Sequence, residues 1–125
     1  MKISADQLEF ENDRCKRLLQ FIQLENSYCK NRLADVIKIN DGLPEFLEQA
    51  EFYQNYYIQQ EILLSLLKHD VTNFRRMLED EKFPDGAVIN QVLSTRSRLQ
   101  REVEKLETDF HDMQRKFNHF IEANM

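Results

Sequence analysis

Glycine and proline are scarce in this chain, with two of each among 125 residues. Glycine scarcity excludes a glycine-rich phosphate loop. No window approaches the ~18 uninterrupted apolar residues that cross a membrane, and Met1-Lys2-Ile3-Ser4-Ala5-Asp6 opens no apolar run of signal-peptide length. No membrane partner is therefore expected. A basic excess is missing too: the net charge is −5, which argues against nucleic acid. Cysteine is limited to Cys15 and Cys29. On one helix they are separated by roughly 21 Å of rise, too far to pair with each other. Two spaced thiols suit a reducing cytosol, so a cytoplasmic location is expected.

Recognisable catalytic chemistry is also absent. Di-metal centres in helical bundles draw on Glu and Glu-x-x-His projecting from facing helices. The only histidines are His69, His111 and His119, and none follows a glutamate by three residues. Neither cysteine has a histidine at a comparable height along the bundle. The expectation is a protein that is not an enzyme, with no cofactor and no metal.

What is present is a pattern of breaks and ladders. All four helix breakers fall in Gly42-Leu43-Pro44 and Pro84-Asp85-Gly86, cutting the chain into three near-equal pieces. Each piece carries apolar positions at alternating three- and four-residue steps. In the first, Leu8, Cys15, Ile22, Cys29 and Val36 alternate with Asn12, Leu19, Asn26 and Leu33. In the second, Leu43, Ala50, Tyr57, Leu64, Val71 and Leu78 alternate with Phe46, Tyr53, Gln60, Leu67 and Phe74. In the third, Ile89, Arg96, Val103, Phe110 and Phe117 alternate with Val92, Leu99, Leu106, Met113 and Phe120. This predicts an all-α, antiparallel bundle of three long helices, over about residues 4–40, 44–80 and 86–123 of one domain, with coiled-coil-like packing near +20°.

The helix ends carry their own signals. Ser4-Ala5-Asp6-Gln7 matches a capping box, Asn40-Asp41-Gly42 stops the first helix, Pro44 suits the first turn of the second, and Asp85 can cap the third. Glu79, Asp80 and Glu81 oppose the dipole at the end of the second helix, which predicts fraying there. Folding the ladders back at the turns brings Leu67 to Leu99, Tyr57 to Phe110 and Ala50 to Phe117. It also brings Asn26 to Tyr57, whose hydroxyl is the expected partner of the amide. One register serves all three helices.

Polar residues interrupt the seams. Asn12 and Arg96 share a level, with Glu11 and Asp70 near enough to pair with the guanidinium, so Asn12, Asp70 and Arg96 are expected to form a register-fixing polar layer. Glu25, Glu61 and Glu107 fall at similar heights on the rim, with His111 one turn beyond Glu107. They supply the alternative reading, a metal- or small-ligand-binding bundle. A basic cluster at the second-turn end, including Arg14, Arg17, Arg76 and Arg101, supplies another, an adaptor for an acidic partner.

Apolar residues also exceed what three seams can hold. On the second helix Phe52, Tyr56, Ile62, Leu63 and Leu66 lie off the main ladder, as do Phe21, Leu24 and Tyr28 on the first. Two neighbours cannot cover all of these side chains. The expectation is a non-enzymatic protein-interaction module, a homodimer or the partner of another helical protein. The surplus on the second helix centres on Ile62, where a two-fold axis would set the helix antiparallel on its own copy.

Overall fold

Helix boundaries fall where breakers and caps put them. The computed structural model describes residues 4–40, 42–80 and 86–125, and it contains α1 (Ala5–Ile39), α2 (Pro44–Asp80) and α3 (Gly86–Ala123) packed on one another. Among the described residues there is no strand. The protein is an all-α three-helix bundle.

Ser4 starts α1 as expected, its Oγ accepting from the Gln7 N–H at 3.1 Å. The return half of the box is not made: the Gln7 amide donates forward to Glu11 Oε1 at 3.3 Å. At the other end the Asn40 N–H closes on the Val36 carbonyl, and Gly42 takes φ +94°. That left-handed conformation favours glycine, and it turns the chain into Pro44 at the first position of α2. The cap expected at Asp85 lies outside the described residues, as do Glu81 and the side chain of Ile89. Glu79 and Asp80, where fraying is expected, are the last two residues of α2.

Cross-helix bonds establish the register. Asn12 and Asn26 reach the carbonyls of Val71 and Tyr57, so α1 and α2 run antiparallel. Arg98 meets Asp70, consistent with antiparallel α2 and α3. Arg96 meets Glu11, Gln114 meets Cys29 and Asn118 meets Arg32, so α1 and α3 run side by side in the same direction. The α1 and α2 backbones approach closest. Small seam residues such as Cys29 and Ala50 permit this, whereas α3 faces its neighbours with Phe110, Phe117 and Phe120.

The core is stacked along the axis. Near the first turn Ala50, Tyr53, Tyr57, Phe117 and Phe120 pack with Cys29 and Leu33 of α1. Leu19, Ile22, Leu64, Leu67, Leu106 and Phe110 fill the middle, and Leu8, Phe74, Leu78, Val92 and Leu99 the far end. Tyr57 does not stack on Phe110 as its layer implied; its ring meets Phe117 edge-on at 5.3 Å. The cause is side-chain direction. Helical side chains lean toward their own N-terminus, so in an antiparallel pair two rings meet when their Cα atoms are offset along the axis. Phe46 and Phe120, which share a layer, stack face to face at 5.4 Å. Ile121 lies outside both ladders of α3 yet is fully buried, as part of the cluster that joins Leu33 and Val36 of α1 to Phe46 and Ala50 of α2.

Candidate interaction surface

Interior polar groups are held to structural tasks. The Asn12 amide donates to the Val71 carbonyl at 3.1 Å, and Asn26 donates to the Tyr57 carbonyl at 3.2 Å. Asn26 therefore bonds the main chain and not the Tyr57 hydroxyl. A side-chain amide one helix away reaches a carbonyl more readily than a phenol that has leaned off toward Phe117. The hydroxyl itself is buried without a hydrogen-bond partner among the described residues, and burial raises its pKa.

Arg96 is gripped by Glu11 through two 2.7 Å bonds, from Nε and Nη2 to the two carboxylate oxygens. Hydrogen bonding to the guanidinium lowers the Glu11 pKa and raises that of Arg96. The expected third member is elsewhere. Asp70 sits 3.4 Å from Arg98, half-exposed on the side of α2 that faces α3. The polar level is therefore Asn12, Glu11 and Arg96, and Asp70 belongs to the α2–α3 rim. Arg96 points toward α1, and Asp70 approaches α3 from the opposite flank.

The rim carboxylates are not gathered into a site. Glu61 is bonded to Lys30 at 2.7 Å, and among the described residues no three His, Cys, Asp or Glu side chains are placed to hold a metal ion. The basic end is laced with acids: Arg75 contacts Asp13 and Glu79 at 2.9 and 3.0 Å, and Arg98 contacts Glu102 at 3.2 Å. Arg14, Arg17, Arg76 and Arg101 are exposed around it.

The surplus apolar side chains are the distinctive feature of the surface. Phe21, Leu24, Tyr28, Phe52, Ile62, Leu63 and Leu66 are all exposed, Leu24 by 72%, Leu66 by 60% and Ile62 by 59%. Ile58 joins them. Tyr56 is half-buried, its hydroxyl accepting from Gln60 Nε2 at 2.6 Å and its ring edge-on to Tyr57.

Some of these residues flank α3, on its two opposite sides. Phe21 rests edge-on against Phe110, and Tyr28 lies under Arg32, which itself bonds Asn118, so these two rings lie on the α1–α3 flank. Leu63 and Leu66 line the α2–α3 groove with Arg98, Glu102 and Lys105. The outer seam between α1 and α2 is polar, bridged by Lys30–Glu61, Lys68–Gln23 and Arg75–Asp13. Heptad reading finds both sets but not their separation. The side-chain contacts with α3 carry that signal. Compared with protein-family models, curated proteins and solved structures, the chain matches none. No helix among the described residues is long and apolar enough to cross a membrane.

Proposed function

We propose that the protein is a non-enzymatic interaction module that self-associates through the surplus apolar faces of α1 and α2, working in the reducing cytosol where single thiols persist. One observation carries the reading. Ile58, Ile62 and Leu66 follow one another at four-residue steps along α2, each about half exposed or more, and a row of this kind is the ridge by which one helix packs against another. Isolated exposed leucines are ordinary on a protein surface; a continuous row flanked by Phe52 and Leu63 is the mark of an interface.

Light scattering at micromolar concentration tests it. The expected mass is twice the 15.1 kDa of one chain. Ile62→Glu is expected to return the mass to a single chain with helicity unchanged, since the position is exposed and a glutamate suits a helix. A clean single-chain mass for the unmodified protein would overturn self-association and assign the face to a different protein.

A further inference from the structure

We infer that the second copy docks on α2 alone, antiparallel about Ile62, with Glu48 of each chain opposite Arg76 of the other. The inference rests on the self-association reading and narrows its contact from the faces of both α1 and α2 to that of α2. Its basis is the chemistry of the outward row of each helix, the side chains spaced by seven along the back of the bundle.

On α2 that row is Glu48, Asn55, Ile62, His69 and Arg76, all exposed. A two-fold axis at Ile62 sets it against itself reversed. Ile62 then meets its own copy, Asn55 meets His69 and Glu48 meets Arg76, twice over by symmetry. The flanking side chains bring no charge to the centre: on one flank Ile58 comes beside Ser65, and on the other Gln59 beside Leu66. The one like-charged encounter, Glu45 with Glu79, falls at the periphery, where Arg75 already neutralises Glu79 at 3.0 Å. The row has an apolar centre, amide and imidazole shoulders, and opposite charges at its ends.

The other two helices lack this property. The outward row of α3 reads Ser94, Arg101, Thr108, Arg115 and Glu122, and a two-fold axis at Thr108 would drive Arg101 against Arg115. The row of α1 reads Phe10, Arg17, Leu24, Asn31 and Lys38, with an apolar centre but only positive charges beyond it. Opposite charges facing across an interface select partner and register, and like charges reject them. By this criterion α2 matches a second copy of itself, and the α1 patch stays outside the dimer.

Charge reversal tests the register. Glu48→Arg and Arg76→Glu each turn two attractive encounters into two repulsive ones, at exposed positions where circular dichroism should show unchanged helicity. Sedimentation equilibrium at low salt is expected to show each variant associating about tenfold more weakly than the unmodified protein, the difference shrinking as salt screens it. An equimolar mixture of the two variants is expected to recover tight association as a heterodimer, because every basic end then meets an acidic one. If the unmodified protein dimerises but the variants do so equally well, or their mixture is no tighter than either alone, this register is wrong and self-association stands. A monomeric unmodified protein would overturn both.

Discussion

The Asn26 side-chain amide donates across the α1–α2 seam to the main-chain carbonyl of Tyr57 at 3.2 Å, and two heptads away Asn12 repeats the contact on Val71 at 3.1 Å. Both asparagines are almost wholly buried. Equal spacing on the two helices makes the pair a two-point register, since a slip of one residue breaks both bonds together. A buried polar group tied to a fixed acceptor resists sliding in a way that apolar contacts, which are non-directional, do not.

Asn26→Ala is expected to lower stability by about 1–2 kcal/mol, combining a lost hydrogen bond with a small cavity. Asn26→Leu should cost less, because the added apolar volume offsets the lost bond. Urea unfolding followed by circular dichroism measures both. Equal costs for the two substitutions would mean that the amide contributes nothing beyond its bulk.

Glu11 and Arg96 predict a response to acid. The guanidinium depresses the Glu11 pKa, so the folded state favours the charged carboxyl more than the unfolded chain does. The resulting stabilisation is present above the unfolded carboxyl pKa of ~4.3 and is lost as pH falls through the lower folded value. With both side chains about a quarter exposed, the pair is worth about 1 kcal/mol. Glu11→Gln should be less stable by that amount at pH 7 and should converge on the unmodified protein in acid. Thermal melts across that range would refute this if the difference were constant.

Tyr57 predicts a gain. Its hydroxyl is buried without a hydrogen-bond partner among the described residues, while its ring is packed against Tyr56 and Phe117. Tyr57→Phe keeps the packing and removes the stranded oxygen, so it is expected to raise stability by up to ~1 kcal/mol. A loss in the urea midpoint would show that the hydroxyl is satisfied in solution, by the neighbouring Cys29 thiol or by a bridging water.

The two thiols should differ in reactivity. Burial raises the pKa of both, but Cys15 is half-exposed whereas Cys29 is fully buried with its sulfur 3.4 Å from Gln114 Oε1. A thiol-specific reagent is expected to label Cys15 slowly in the native protein, faster as pH rises and the thiolate forms, and to reach Cys29 only on unfolding. Mass mapping of the first label decides it.

Some of this protein was written in its residues one by one. Breakers at Gly42, Pro44, Pro84 and Gly86 and seven-residue ladders between them determine three helices and their antiparallel order, because backbone conformation and apolar periodicity are local properties. The polar seam positions and the surplus apolar residues were legible for the same reason. Tertiary structure alone decided what depends on direction across helices. It paired Arg96 with Glu11 and sent Asp70 to Arg98, moved Tyr57 from Phe110 to Phe117, buried Ile121 in the core near the first turn, and set Phe21 and Leu63 on opposite sides of α3. A heptad ladder specifies which face of a helix turns inward. The lean of each side chain and the flank on which each neighbour lies are settled only when three helices share one core.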